Sequence, residues 1–479
     1  LPTDTDNREK INTLALTGAK DKPTGWAAEL DVVSGLLDAV RSVRHVPAYS
    51  PGSGDVPQKC TLLGSYEQLG PAKLKDSKDF WERVALDRSI SGAAVRPRER
   101  LCAVSLVKRY AWPLYLCGRL KQNRQFSEYL EELKFSDTAT TAALNWLAGG
   151  TRLDWQRGMW SGQWLHWRSR EQDPDEEPCP PRVWDQIQRK KAADGVPPAY
   201  FGVLMLDGDA LGKLLRGALN PDVPDAWGVG HDRPANISGK LTEFALAQAK
   251  TIVEQFSGEL VYSGGDDTLA LVPLAQVVAA AKALSDRYGA DMNGCTVSGG
   301  IAVVHYKEDL RFALQQARAA EKAAKTAGRD RLALTVCRRS GEHATTVMTW
   351  EQVEEFNRLV ALFIDPGVSD RWAYKLREAL PTLEGLSRDP VRAELGRLVD
   401  RIDNVRDDVR RHFRSIVVAL FDRHMTEHEA QFLKRHAADP PRTPDEAERR
   451  RRRAFATAVE EFVTLCQSAS FLARGRDRS

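Results

Sequence analysis

Residues 260–273 read LVYSGGDDTLALVP, and this stretch decides the fold of the central part of the chain. Two short apolar runs, 259–263 and 268–272, have the length and composition of buried strands. Gly264-Gly265-Asp266-Asp267 joins them, and glycine accepts the positive φ angles of a tight turn. The pattern predicts a β-hairpin that presents both aspartates at its tip.

A third carboxylate, Asp207, directly follows another apolar run, residues 200–206. If that strand lies beside the hairpin, Asp207, Asp266 and Asp267 converge on one point. Two carboxylates about 4 Å apart repel by roughly 4 kcal/mol at an effective dielectric constant near 20, so such a site needs protons or cations. Oxygen ligands favour Mg²⁺ or Mn²⁺, and two such ions suit nucleotidyl transfer from a triphosphate. The alternative is a solvated surface turn, since Gly and Asp are common turn residues.

The segments around the hairpin alternate between strand and helix patterns. A helix over 238–256 is expected to start at Ser238 as its N-cap, and a helix over 310–327 is expected to end at Gly328. The order β-α-β-β-α-β-α-β predicts an α+β fold, a ferredoxin-like palm domain of the nucleotide-cyclase and polymerase type. The remaining predicted elements are a helix over 274–288 and strands over 296–305 and 331–336, the latter being the last strand.

Composition excludes several classes of protein. The seven cysteines are too scattered for a disulfide-stabilised scaffold, and no apolar run approaches the ~18 residues that span a bilayer. Since the N-terminus lacks the apolar core of a signal peptide, we expect a cytoplasmic protein without a membrane partner. The net charge of +3 permits a nucleic-acid or nucleotide partner without requiring one. Because the first residue is Leu1, we expect the sequence to begin within a longer protein.

Four segments carry a family likeness in a fixed order. They are FGVLMLDGDALGKLL (201–215), LVYSGGDDTLALVP (260–273), SGGIAVVHYKEDL (298–310) and AEKAAKTAGRDRLAL (320–334). Together they resemble the second palm domain of the large subunit of Cmr-type type III CRISPR effector complexes. The resemblance implies a subunit of an RNA-guided antiviral complex that, once target RNA is bound, converts ATP into cyclic oligoadenylate second messengers. It also implies other subunits, a small helical subunit among them, and guide and target RNA as partners.

The resemblance assigns roles to the acidic residues. Asp207 and Asp266 would be metal ligands for two Mg²⁺ or Mn²⁺ ions. Asp267 would be a further ligand or would help to activate the attacking 3′-hydroxyl. For Asp209 two roles remain open, because it could ligate metal or merely orient its loop.

The resemblance also assigns the residues that would hold the substrate ATP. The backbone around Gly264 and Gly265 would hold phosphate, and Ser263 would touch a base. Lys325 would contact the triphosphate, for which the bland alternative is simple exposure to solvent.

Two departures from the family pattern remove two expected features. The family's zinc ribbon uses two Cys-x-x-Cys pairs, but here Leu63 and Ser105 replace the second cysteines after Cys60 and Cys102. Since structural zinc needs four ligands, we expect no structural zinc, with the segment held by packing. The family's histidine-aspartate nuclease is not predicted either, because the dipeptide at 231–232 is best interpreted as part of a loop.

Four domains are predicted for the 479 residues, because a chain of this length exceeds one hydrophobic core. Helical patterns beyond Trp350, broken at Asp439-Pro440-Pro441, indicate a C-terminal helical bundle. The predicted domains are a remnant of a first palm-like domain over 1–135 with a degenerate zinc-ribbon segment at 59–109, a helical domain and linker over 136–195, the catalytic palm over 196–345 and the helical domain over 346–479.

Two other functions remain open. One is a different palm enzyme, either a diguanylate cyclase, from whose motif Asp267-Thr268 departs, or a template polymerase, whose fingers and thumb are not evident. The other is a non-catalytic scaffold subunit of the same complex. Clustered acids together with Lys325 argue against a scaffold, because a site without chemistry has no physical reason to keep them.

The C-terminal region holds three further patterns. His424-x-x-Glu427-His428 has the form of an inverted zinc-protease motif, yet the helix is strongly charged and no third ligand is evident, which favours a solvated helix face. The arginines at 449–453 suit RNA, a partner subunit, or a solvated helix with i,i+4 ion pairs. An apolar series from Phe455 to Cys466 predicts core or interface, and the resemblance favours an interface with the small subunit.

Overall fold

The computed structural model describes the chain in segments that form two compact units. The described parts of 36–135 and 168–181 form the first unit, and those of 15–35, 136–167 and 182–479 form the second. The described residues are 26–42, 58–86, 95, 98–122, 135–156, 160–173, 177–217, 227–228, 232–364, 368–383, 387–403 and 405–477.

The second unit is built on a six-stranded sheet. Its strands are β1 Tyr200–Gly208, β2 Glu259–Gly264, β3 Asp267–Pro273, β4 Val297–His305, β5 Arg331–Cys337 and β6 His343–Thr349. Their order across the sheet is β2-β3-β1-β4-β5-β6. β1 runs antiparallel to both neighbours, whereas β4 and β5 are parallel because a helix crosses between them. The predicted α+β palm fold is confirmed.

Helices precede, separate and follow the strands. Two of them continue through π-helical turns, at Trp112–Leu116 and Phe244–Ala249. None of the helices that the structure describes is long and apolar enough to cross a bilayer. Their bounds are α1 Trp26–Ser42, α2 Leu74–Leu86, α3 Ala103–Ala111, α4 Cys117–Lys121, α5 Thr138–Ala148, α6 Gln163–His166, α7 Pro181–Asp194, α8 Leu211–Leu215, α9 Asp232–Glu243, α10 Lys250–Gln255, α11 Val277–Asp291, α12 Leu310–Thr326, α13 Gln352–Ile364, α14 Arg371–Leu383, α15 Arg388–Asp400, α16 Asp407–Ala438 and α17 Pro444–Asp477.

Helices cover the sheet on both faces, as its apolar strands require. Successive residues of a strand point to opposite faces. Leu204 and Ile301 therefore join the core that includes Val277 of α11. Their neighbours Val203 and Ala302 pack on the other face with the alanines of α12. The central strands β1 and β4 are thus held between two helical layers.

Two elements of the predicted palm differ in the structure. The helix expected from 238 begins at Asp232, so Ser238 lies inside it and the N-cap prediction is wrong. The strand at 331–336 is not the last, because β6 pairs with β5 in antiparallel register. β6 reads HATTVMT and has no apolar run, but pairing buries Thr346 and Met348.

The C-terminal helices form the predicted bundle. α16 ends at Ala438 and α17 begins at Pro444, which confirms the predicted break. On α17, Val459, Phe462 and Cys466 are buried in the core that this helix shares with α13 and α16. The apolar series is therefore core, and its interpretation as an interface is wrong.

The arginine run at 449–453 lies on the charged side of α17. Arg450 pairs with Glu446 at 2.7 Å and Arg452 pairs with Glu448 at 2.8 Å, both at i,i+4 spacing. This is the helix with i,i+4 ion pairs that the sequence predicts as one alternative.

In the first unit, hydrogen bonds hold the degenerate zinc-ribbon segment. The Sγ atoms of Cys60 and Cys102 lie 3.5 and 3.4 Å from Oγ of Ser105. The backbone N–H of Leu63 donates to Sγ of Cys60 at 3.3 Å. These hydrogen bonds account for the local fold, while the absence of zinc from this segment stays a prediction.

Candidate active site

The hairpin tip consists of Gly265 and Asp266, because Gly264 of β2 pairs with Asp267 of β3. Gly265 has φ = +64°, a backbone region that glycine tolerates and most other residues avoid. A positive φ at the first loop position alone is typical of a type II′ turn, whose twist matches that of two antiparallel strands. The glycines thus form the tight turn that the sequence predicts, with Asp266 and Asp267 at one end of the sheet.

Strand β1 brings Asp207 to the same end of the sheet. Its residue Leu206 pairs with Thr268, and this register places Asp207 beside Asp267. A hydrogen bond between the side chains of Asp267 and Asp207 contributes to the raised pKa of Asp267. Two carboxyl groups that lie 60 residues apart in sequence are therefore in direct contact.

Gly208 allows Asp266 to approach this pair. A Cβ at Gly208 would lie 2.7 Å from Cβ of Asp266 and 2.5 Å from Oη of Tyr288. Tyr288 of α11 was not predicted as part of the site. It packs edge-on against Phe244 with ring centroids 5.3 Å apart, and burial raises the pKa of its hydroxyl. Only its place on a buried helix face distinguishes it in the sequence, which is too weak a signal to find it.

The carboxylates of Asp207, Asp266 and Asp267 repel one another electrostatically. Burial raises the pKa of Asp267 to about 7, and the hydrogen bond and negative charge of Asp207 add to the rise. Burial also raises the pKa of Asp266, with the charge of Asp207 contributing. Oxygen donors crowded in this way fit divalent cations, which relieve the same repulsion. The set has no nitrogen or sulfur, so it fits Mg²⁺ or Mn²⁺ better than zinc.

Lys325 in the last turn of α12 adds a cation to this acidic group. Its Nζ forms ion pairs with Asp207 and, at 2.7 Å, with Glu321 one turn earlier. Burial lowers the pKa of Lys325, but its contacts with the carboxylates of Asp207 and Glu321 outweigh burial and raise the pKa. A Cβ on Gly300 of β4 would collide with the backbone of α12, so this glycine lets the helix lie directly on the strand. Lys325 is therefore held in the site, and simple solvent exposure is wrong; its contact with a triphosphate stays a prediction.

Ser263 lies in β2 beside the tip. Its Oγ is 3.3 Å from Oγ1 of Thr268 across the hairpin. Such cross-strand hydroxyl pairs stabilise a hairpin. The contacts of Ser263 with a base, and of the backbone at Gly264 and Gly265 with phosphate, stay predictions.

Asp209 has a different environment from Asp207. It is 8% exposed and accepts hydrogen bonds from the hydroxyls of Thr296 and Ser298 at 2.9 and 2.7 Å and from the backbone N–H of Asp330 at 3.0 Å. Asp330 and its neighbour Arg329 have φ = +52° and +65°, so Asp209 anchors a loop in an unfavourable backbone conformation. Of its two open roles, the structure favours orientation of a loop, the one that follows Lys325.

The dipeptide His231-Asp232 is only partly described. Asp232 is the first residue of α9, and His231 lies outside the described residues. The interpretation of this dipeptide as a loop stays a prediction for His231.

The central part of the chain matches known proteins. Residues 200–333 match the family model described as Cas10/Cmr2, second palm domain. The Pyrococcus furiosus protein "CRISPR system Cmr subunit Cmr2" is 29% identical over 215 residues, which cover 39% of this chain and 25% of that protein. The chain thus spans about a quarter of the length of this curated relative.

Solved structures resemble the chain over longer stretches at low identity. A type III-B Cmr-beta structure in the apo state gives a TM-score of 0.49 at 14% identity, covering 80% of this chain and 57% of that one. Cmr-beta bound to cognate target RNA gives 0.47 at 14% identity, covering 85% and 58%. A Csm1-Csm4 cassette in complex with cA4 gives 0.34 at 16% identity, covering 57% and 36%.

The matched region coincides with the site. It contains β1 with Asp207, the hairpin with Asp266 and Asp267, and α12 with Lys325. These are the segments in which the sequence resembles the large subunit of Cmr-type complexes, and that resemblance is confirmed. Over residues 200–333 the chain is therefore similar to the second palm domain of the Cas10/Cmr2 family.

Proposed function

We propose that this chain is the catalytic large subunit of a Cmr-type type III CRISPR complex and converts ATP into cyclic oligoadenylates when target RNA is bound. One observation carries the proposal: Asp207, Asp266 and Asp267 converge at one end of the palm sheet, beside Lys325. A cluster of acids next to a lysine suits a triphosphate and its cations, because the acids attract the cations and the lysine attracts the phosphates.

Asp207, Asp266 and Asp267 are the residues proposed to hold two Mg²⁺ or Mn²⁺ ions. When bound, such ions neutralise phosphate charge and lower the pKa of an attacking hydroxyl. The support for them is the oxygen-only donor set and the raised pKa values of Asp266 and Asp267. Lys325 now neutralises Asp207, and a triphosphate that draws the lysine away would leave Asp207 free to act as a ligand.

The proposed reaction joins two ATP molecules. The 3′-oxygen of one nucleotide forms a bond to the α-phosphorus of the next, while the bond to pyrophosphate breaks and the hydroxyl proton leaves. Asp267 is proposed to assist the loss of this proton, because a metal ion held by its carboxylate would lower the pKa of the hydroxyl. Lys325 would hold the triphosphate, and the backbone at Gly264 and Gly265 would contact phosphate. Ser263 would border the base.

The proposed partners are those of an RNA-guided complex. They are guide RNA, target RNA and the other subunits, with the small helical subunit among them. The name of the Pyrococcus furiosus relative, a Cmr subunit, supports assembly with other proteins. We place the assembled complex in the cytoplasm, where its RNA partners and ATP occur.

The decisive experiment assays the assembled complex. It is incubated with target RNA, ATP and Mg²⁺ or Mn²⁺, and the products are analysed by mass spectrometry, which also gives the ring size. Cyclic oligoadenylates are expected from the wild type and not from Asp266→Ala/Asp267→Ala. Asp286→Ala is the matched control, because Asp286 forms an exposed ion pair with Lys282 on α11 and should give wild-type amounts.

Two results would contradict the catalytic proposal. One is the absence of any adenylated product from a complex that binds target RNA. The other is an equal yield from the double variant, which would place the chemistry elsewhere. Either result would favour the scaffold function.

A further inference from the structure

Two histidines of α16 meet a glutamate of α17 at the edge of a cavity of about 430 Å³. His424 and His428 are one turn apart, with ring centroids separated by 4.5 Å. Glu461 supplies a carboxylate from the neighbouring helix. Each of these three side chains offers one atom that can bind a metal, and these atoms all lie within 4.8 Å of one another. The expected solvated helix face is wrong, because His424 is only 2% exposed.

The hydrogen bonding of His424 prepares it as a ligand. Its Nε2 lies 2.9 Å from the carbonyl oxygen of Ala458. A carbonyl can only accept, so the hydrogen is on Nε2 and Nδ1 carries a lone pair. In the part of the chain that the structure describes, no hydrogen bond reaches Nδ1. Metal-bound histidines commonly donate their second ring N–H to a carbonyl in this way.

The side chains of His428 and Glu461 are partly exposed and can rotate. Nε2 of His428 lies 2.7 Å from Oε2 of Glu461, whose side chain is about half exposed. Glu427, the acidic residue of the protease-like pattern, instead accepts from Nη2 of Arg331 at 2.7 Å. The pattern is therefore not a protease site, since its glutamate is engaged with β5. The third group comes from another helix, where no local sequence motif could reveal it.

We propose that His424, His428 and Glu461 bind one zinc ion that joins α16 to α17. Two imidazoles and one carboxylate form an established ligand set for zinc. Bonds of about 2.0–2.1 Å in a tetrahedral arrangement would bring the donor atoms to about 3.3 Å from one another. Rotation of the partly exposed side chains of His428 and Glu461 supplies the required movement. The cavity leaves room for a water molecule as the fourth ligand.

The test measures zinc directly in the full-length chain. The protein is dialysed against chelator-buffered Zn²⁺ with excess Mg²⁺, which occupies the palm carboxylates, and bound zinc is counted by mass spectrometry. Wild type is expected to bind one more zinc per chain than either His428→Ala or Glu461→Gln. The remaining affinity of these variants should be at least about 100-fold weaker, because each loses a direct ligand.

His412→Ala is the matched control, because His412 is exposed on the same helix and lies outside the group. It should bind zinc as the wild type does. Circular dichroism without zinc verifies that each variant is folded, and Glu461→Gln preserves size and polarity if His428→Ala does not fold. Equal zinc in wild type and Glu461→Gln, or no zinc in the wild type, would show that His428 and Glu461 are only an ion pair and overturn the proposal. Failure of ATP conversion has no bearing on this readout.

Discussion

Asp207 and Asp209 lie two residues apart at the end of β1, yet their surroundings are opposite. Asp209 is buried and accepts three hydrogen bonds from protein donors. Asp207 faces two further carboxyl groups, with Lys325 as its ion-pair partner. A carboxylate whose donors are supplied by the fold is structural, whereas one placed among other carboxylates has to be completed by something outside the chain. A structural carboxylate and a proposed metal ligand thus lie two residues apart in the sequence.

The largest effect on activity is expected when one of the three proposed metal ligands, Asp207, Asp266 and Asp267, is replaced by a neutral residue. Asp266→Asn should lower product formation by the assembled complex by on the order of 10²–10³-fold or more. The free energy of unfolding of the metal-free chain should stay equal or rise, because burial and Asp207 make the charge on Asp266 unfavourable. Assay and urea denaturation of the same variant check both parts. A large loss of stability would show that Asp266 is structural after all.

Replacement of the structural carboxylate should have the opposite signature. Asp209→Ala leaves the buried hydroxyl of Ser298, the half-buried hydroxyl of Thr296 and one N–H without their acceptor, which should lower the free energy of unfolding by about 2–4 kcal/mol. Urea denaturation of the metal-free chain measures the change. Asp286→Ala is the control, since an exposed ion pair contributes less than about 1 kcal/mol. Equal changes in Asp209→Ala and Asp286→Ala would show that Asp209 is not a structural carboxylate.

A smaller effect on activity is expected when Lys325, the ion-pair partner of Asp207, loses its positive charge. Lys325→Met should lower kcat/KM for ATP by on the order of 10–100-fold, the equivalent of about 1.5–3 kcal/mol for a charged hydrogen bond. Lys322→Met on the exposed side of the same helix should leave the ratio unchanged. Steady-state assays of both complexes decide whether Lys325 acts on substrate or only neutralises Asp207.

The smallest effect is a pH dependence of the metal-free chain. The folded-state pKa of Asp267 is raised from 3.8 to about 7, so the folded state binds the proton more tightly than the unfolded state. The contribution of this group to stability is therefore present below 3.8 and is lost as pH rises toward about 7. Melting temperatures in EDTA should fall more across this range for the wild type than for Asp267→Asn. Saturating Mg²⁺ should reduce the difference, and identical slopes in EDTA would contradict the assignment.

Local sequence patterns predicted the centre of the fold well. The hairpin at Gly265, the strand that ends in Asp207 and the helix that carries Lys325 are each specified by residues within about one element, where periodicity is informative. β6 was missed because its residues become buried only through pairing with β5. Helix starts depend on tertiary contacts as well, and Ser238 shows that a good capping residue does not by itself begin a helix.

Contacts between distant residues could not be predicted. The partners of Asp209 come from 87 to 121 residues away, so nothing in its neighbourhood distinguished a loop anchor from a metal ligand. Likewise, Glu461 stands on a different helix from His424 and His428. The apolar face of α17 left core and interface open, because the pattern of a buried helix face is the same whether the covering surface belongs to the same chain or another, and only the family resemblance favoured an interface.

The position of β2 at the edge of the sheet has a consequence for hydrogen exchange. β1 is enclosed by β3 and β4, so its amides should exchange only when the whole domain unfolds. β2 pairs on one side with β3, and its residues Val261 and Tyr262 are 52% and 54% exposed. Its amides should exchange through smaller, local openings. Asp207 thus lies on a strand whose amides exchange slowly, whereas Asp266 and Asp267 lie next to β2, whose amides exchange faster. A ligand bound by all three aspartates should therefore slow amide exchange in β2 far more than in β1.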